Sequence, residues 1–104
     1  MSKWRKKPVV VVEAMQYTGT RSSIQRICDW ANAGQPPLED PWVDYVYGSD
    51  GEPHEVLCHT LEGEMRVLKG DYVIRGVKGE FYLCRPDIFA ATYEPVEDGP
   101  VLFN

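Results

Sequence analysis

Between Ser49 and Pro86 the chain is cut at short intervals by Gly51, Gly63, Gly70, Gly76, Gly79 and Pro86. The pieces left between the cuts are Val56 to Leu61, Glu64 to Leu68, Asp71 to Arg75 and Glu80 to Cys84. Each is strand-sized and rich in β-branched or aromatic side chains, the residues that suit a pleated, half-buried surface. Glycine supplies the left-handed backbone of tight turns, and proline cannot donate to a strand ladder. This punctuation predicts antiparallel strands joined by short turns. Glu62-Gly63 and Lys69-Gly70 are read as turns, and Gly76 and Gly79 bracket a hairpin loop. Upstream, Trp42 to Tyr47 alternates acidic with apolar and aromatic residues and turns back through Ser49-Asp50-Gly51.

Val9 to Tyr17 starts β-branched and ends in alternation, so it is expected to be a central strand. Ser22-Ser23-Ile24-Gln25 fits the S-x-x-Q capping box, and Ile24, Ile27, Cys28 and Ala31 fall on one helical stripe. Gly34 and Pro36-Pro37 forbid continuation, which predicts a helix over about 22–33 followed by a stiff loop over 35–41. Pro86 to Tyr93 reads as one helical turn with proline at its first position, and Tyr93 to Val96 as a short closing strand. The expected fold is a single α+β domain over 1–104. It has a strongly curved, mostly antiparallel sheet or partly open small barrel, the helix packed on it, and loose ends at about 1–7 and 97–104.

At 104 residues, with 43% apolar and 26% charged side chains, one core is feasible without disulfide or metal staples. No apolar run approaches the roughly 20 residues that span a bilayer. The basic start, Lys3 to Lys7, is followed by an apolar stretch too short for a signal peptide and cut by Glu13. Cys28, Cys58 and Cys84 are an odd number without CxxC spacing, as in a reducing compartment. The expectation is a cytoplasmic chain with no membrane contact.

The net charge of −5 is unevenly spread. From Cys28 to Met65 there is no Lys or Arg but nine acids: Asp29, Glu39, Asp40, Asp44, Asp50, Glu52, Glu55, Glu62 and Glu64. Such a run serves either as a solvated surface or as an acidic face that docks on a basic partner. Direct nucleic-acid binding is disfavoured, because phosphate contacts need a basic patch and only the N-terminal arm has one.

Chemistry-bearing clusters are few. His54, Cys58 and His59 have metal-ligand chemistry, but neighbours on a strand point to opposite faces, so no metal or other cofactor is predicted. No cysteine stands out as a nucleophile, and Cys28 lies on the apolar stripe of the helix. The glycines lack the strand-to-helix setting of a phosphate loop. Tyr72, Arg75, Tyr82 and Arg85 are the candidate ligand or partner contacts, an anion-and-stacking set. Gly70, Gly76, Gly79, Pro86, Phe89 and Tyr93 are read as architectural, with Tyr72, Phe81, Phe89 and Tyr93 closing the sheet as one aromatic cluster.

The stretch from Gly70-Asp71-Tyr72 through Gly76-Val77-Lys78-Gly79-Glu80-Phe81-Tyr82 and Pro86-Asp87-Ile88-Phe89 to Tyr93 resembles a group of small tailed-phage and prophage proteins. Their recurrent core reads P-G-D-Y-I-x-x-G-x-x-G-E-x-Y-x-x-x-P-x-x-F-x-x-x-Y. Arg5 to Ala14 and the turn Thr60-Leu61-Glu62-Gly63 also look like that group. Lys69 departs from it where the group has proline, which should loosen that turn. The resemblance implies a phage origin and expression in the cytoplasm of a bacterial host, and it carries over no functional residues.

The leading expectation is therefore a non-enzymatic phage accessory protein that binds a host component, most of all a host bacterial protein. The second is a small-molecule binder, such as a sponge for a nucleotide signal. The third is a cysteine-dependent enzyme, which would need a low-pKa thiol. An uncovered sheet edge would also invite pairing with a second copy as a homodimer, although sequence does not say which strand is the edge.

Overall fold

The computed structural model describes residues 2–3, 11–33, 41–51 and 53–96. Their elements run β1 (Glu13–Gln16), α1 (Arg21–Ala31), β2 (Val43–Tyr47), β3 (Pro53–Thr60), β4 (Gly63–Arg66), β5 (Tyr72–Arg75), β6 (Phe81–Cys84) and α2 (Pro86–Thr92). The strands form two antiparallel sheets, ordered β1-β5-β6 and β2-β3-β4. The fold is α+β, as the strand and helix signals predict. Among the described residues the sheet is divided in two rather than continuous, and β1 is an outer strand paired with β5, not a central one. Val9, Val10, Gly34 and residues 35–40 lie outside the described residues, as do 4–7 and 97–104 of the expected loose ends.

α1 begins at Arg21 because Thr20, not Ser22, is its N-cap: the Thr20 hydroxyl accepts from the Ser23 amide at 3.1 Å. Ser23 is buried and ties the helix start to the strand before it. Its hydroxyl donates to the Thr20 carbonyl at 2.9 Å and accepts from the Thr18 amide at 3.2 Å. Gln25 is not part of a capping box, and its amide instead donates to Asp29 one turn later at 2.9 Å.

The predicted stripe Ile24, Ile27, Cys28 and Ala31 is buried. It packs in one cluster with Val43, Val56 and Cys58 from β2 and β3, Val73 and Phe81 from β5 and β6, and Tyr17 and Val67. The helix thus closes a core to which both sheets contribute, and β3 lies against β6. Phe81 is its largest fully buried side chain, held edge-on by Trp30 at 5.6 Å and beside Trp42 at 5.3 Å between ring centroids.

The hairpin signals hold in detail. Gly79 has φ +85° and its amide closes the β5–β6 turn on the Gly76 carbonyl at 3.0 Å. Gly76 leaves room for the Glu80 carboxylate, which folds back over it to accept from the Lys78 amide at 3.0 Å, and a Cβ at that position would displace it. The Lys69-Gly70 turn is fastened by Asp71, whose buried carboxylate accepts from the Leu68 amide at 2.9 Å.

At the C-terminal end two expectations fail. Residues 93–96 form no strand. The expected aromatic cluster is two clusters, because Phe81 pairs across with Arg75 and faces the core, while Tyr72 pairs with Cys84 and faces away. On that far face Tyr72 stacks on Phe89 at 3.7 Å, and Phe89 on Tyr93 at 4.9 Å. α2 starts at Pro86 as predicted but buries none of its residues, so Phe89 is a half-covered surface ring rather than a core anchor.

Candidate functional site

A groove of about 360 Å³ lies between α1 and β2. It exists because Asn32, at the helix C-cap, takes the place of a neighbouring strand along β2. Its side-chain oxygen accepts from the amides of Trp42 at 2.8 Å and Val43 at 3.2 Å, and its side-chain nitrogen donates to the Val43 carbonyl at 3.0 Å. The Cys28 thiol reaches the same carbonyl at 3.7 Å. These bonds satisfy backbone groups that β2 would otherwise leave open on its outer side.

Gln25, Asp29, Asn32, Asp44 and Tyr45 form the polar lining, and among the described residues no Lys, Arg or His contributes. The local potential is negative. The Cys28 thiol on the floor is pushed up to about 11, first by burial and then by the carboxylates of Asp44 and Asp29. Asp44 also belongs, by strand alternation, to the outer face of the β2-β3-β4 sheet, with Glu55, His59, Glu64 and Arg66. Arg66 is held by Glu55 at 2.6 Å, and His59 lies 3.6 Å from Glu64. The outer face of this sheet thus carries Asp44, Glu55 and Glu64 with His59 and Arg66, and on the α1 side the Arg21 guanidinium lies over the Tyr47 ring at 4.7 Å.

The four residues nominated as contacts are not brought together. Tyr72 and Tyr82 lie on the outer face of the β1-β5-β6 sheet with Phe89 and Tyr93. The Tyr82 phenol is pushed up to about 12, by burial first and by its hydrogen bond with Tyr93 second. Arg75 points to the opposite face. Its guanidinium donates to Glu13 at 2.8 Å and to the Trp30 carbonyl at 2.8 Å, and lies over the Trp30 and Phe81 rings at 4.9 and 5.3 Å. Arg75 thus closes the end of the core. Arg85 is exposed at the N-cap of α2, one residue beyond β6. The motif residues Gly70, Gly76, Gly79 and Pro86 occupy turns and a helix start, with the Gly70 amide donating to the Tyr17 carbonyl at 2.7 Å.

Cys58 is buried among apolar side chains and its thiol is pushed up to about 11 by burial, while its neighbour His59 faces out. Burial also raises the Cys84 thiol, with Asp87 and Asp71 adding to the effect. All three thiols are therefore protonated and weakly nucleophilic near neutral pH. Among the described residues no three His, Cys, Asp or Glu side chains converge as a metal site, and no helix is long and apolar enough to cross a membrane.

Sequence reasoning missed Asn32, which it placed inside the helix. The signal was present: Asn32 lies four residues after Cys28, on the apolar stripe, where a polar side chain implies a specific buried partner. In comparisons with known proteins, no family model, curated protein or solved structure matches the chain.

Proposed function

We propose that this chain is a non-enzymatic binding module whose acidic face, centred on the α1–β2 groove, docks on a basic surface of another protein. The observation that carries this reading is the pairing of Asp29 and Asp44 in one groove without a cation among its lining residues. The cation-free run from Cys28 to Met65 supports it, since Asp44, Glu55 and Glu64 share the outer face of the β2-β3-β4 sheet and Asp29 meets Asp44 at its β2 edge. Such a face attracts lysine- and arginine-bearing surfaces and repels nucleic acid. The phage-like motif adds that the partner is a host bacterial protein met in the host cytoplasm. A nucleotide-signal pocket built from Tyr72, Arg75, Tyr82 and Arg85 gains no support, because Arg75 faces away from the two tyrosines and is already bonded.

The test is capture of partners from bacterial lysate by the wild-type chain and by an Asp29→Lys/Asp44→Lys variant, at low and moderate salt. The expected result is a partner retained at low salt, weakened at moderate salt and lost by the charge-reversed variant. Equal capture by both chains would refute the acidic groove as the docking surface, and no specific partner at low salt would refute the function.

A further inference from the structure

Among the described residues β4 is an open edge of its sheet. The ladder fixes which of its backbone groups are unused. The Val67 amide donates to the Val56 carbonyl at 2.7 Å, so Val67 is in a hydrogen-bonded pair. In an antiparallel ladder such pairs alternate, which assigns Met65 and Gly63 to the bonds with β3 and turns the amides and carbonyls of Glu64 and Arg66 outward. Among the described residues nothing bonds to these four groups. At the other edge of the same sheet, β2, Asn32 takes up the Val43 amide and carbonyl.

We propose that the occupant of the β4 edge is β4 of a second copy, paired antiparallel about a two-fold axis at Met65. Hydrogen-bond parity restricts the pairing to Glu64 and Arg66, because only their backbone groups face out. Two-fold registers centred on Glu64 or on Arg66 would set like charges opposite each other. The register centred on Met65 sets Glu64 opposite Arg66 of the second copy, and Arg66 opposite its Glu64, on the same outer face. It satisfies all four open backbone groups in each copy and forms two cross-strand ion pairs. Each Arg66 would then lie between its own Glu55, already 2.6 Å away, and the incoming Glu64.

The central residue fits the same register. Met65 lies on the core side of the sheet, level with Cys58, yet is 43% exposed, with no described strand beyond the edge to cover it. At the axis the two Met65 side chains form a non-hydrogen-bonded pair, the closer kind, and cover each other. Edges guarded against self-pairing carry proline, a bulge or like charges. This one carries opposite charges placed symmetrically about an apolar residue, the self-complementary pattern that a two-fold contact requires.

Sedimentation velocity on the full chain, from low to high micromolar concentration, tests the register. Wild type should dimerise with rising concentration. Glu64→Arg alone and Arg66→Glu alone should each self-associate about ten-fold or more weakly, since each then sets like charges opposite. Mixing these two variants should restore a dimer, because the all-basic edge of one then faces the all-acidic edge of the other. The double variant, with its charges exchanged, should dimerise by itself. Both side chains are exposed, and recovery on mixing also shows that the single variants are folded. A wild type that stays monomeric throughout, or single variants that associate as wild type does, would overturn the proposal.

Discussion

Phe81 and Phe89 are both phenylalanines of the same C-terminal motif, and the structure gives them different energetic weights. Phe81 is 2% exposed and contacts Trp30, Trp42 and the Arg75 guanidinium. Truncation to alanine removes a fully buried ring and leaves a cavity under two indoles, a change worth about 3–5 kcal/mol. Phe89 sits on a helix with no buried residue, between Tyr72 and Tyr93. Its loss removes two ring stacks at the surface and a partial burial, about 1–2 kcal/mol. A domain of this length holds on the order of 5–15 kcal/mol, so Phe81→Ala approaches the threshold of unfolding and Phe89→Ala does not. At roughly 4 °C per kcal/mol the midpoints should fall by about 12–20 °C and 4–8 °C respectively. Urea titration followed by tryptophan emission gives the two free-energy losses and a thermal melt the two midpoints, and only Phe81→Ala should also shift the native spectrum, through Trp30 and Trp42. Equal losses for the two variants would refute the division of the aromatic residues into a core set and a surface set.

Three further outcomes are expected. Asn32→Ala should cost about 2–3 kcal/mol in the same titration, since three hydrogen bonds to Trp42 and Val43 are lost, and Asn32→Asp should be rescued partly as pH falls, because only a protonated carboxyl can donate to the Val43 carbonyl. Gly79→Ala should cost about 1–2 kcal/mol by forcing an L-residue into the left-handed region at φ +85°, read as a lower thermal midpoint. The Cys28 and Cys58 thiols, raised from about 9 to about 11 in the fold, are protonated in both states below pH 9; between 9 and 11 the unfolded chain ionises and the folded one does not, so stability should fall as pH rises through that window. A Cys28→Ala/Cys58→Ala variant should flatten that fall, and native alkylation of both thiols at neutral pH should be slow.

Much of this fold is legible because its signals are local. Turn glycines, a proline at a helix start and a stripe at helical spacing each act through a few neighbouring residues, and those elements appear where expected. What failed depends on contacts across the chain. Thr20, Ser22 and Ser23 are all competent near a helix start, and the choice of Thr20 rests on the buried Ser23 hydroxyl and the amide of Thr18. β1 reads as a central strand from its β-branched run, but its place in the sheet is set by pairing with β5, which is distant in sequence. The candidate contacts contain an error that spacing alone exposes. Tyr72 and Arg75 are three residues apart on a strand, an odd separation that sends them to opposite faces. Grouping residues by nearness in sequence overrode the parity.

The acidic groove and the β4 edge lie at opposite ends of one sheet, and this arrangement has a measurable consequence. If two copies join β4 to β4, the two sheets become one of six strands, with a groove beside each outer β2. Five strand spacings of about 4.8 Å separate those two strands by roughly 24 Å. A partner that displays basic segments at that separation, or is itself two-fold symmetric, would meet both grooves at once, and its apparent affinity would exceed that of a single groove. Arg66→Glu leaves the groove lining intact and removes the joining of copies, which matters only where captured partners lie close together. On a surface densely coated with captured partner, this variant should therefore dissociate faster than wild type, while on a sparse surface the two should match. Asp29→Lys/Asp44→Lys should lose binding on both surfaces. If Arg66→Glu and wild type dissociate alike at every density, the grooves act singly, and dimerisation, where sedimentation finds it, does not strengthen docking.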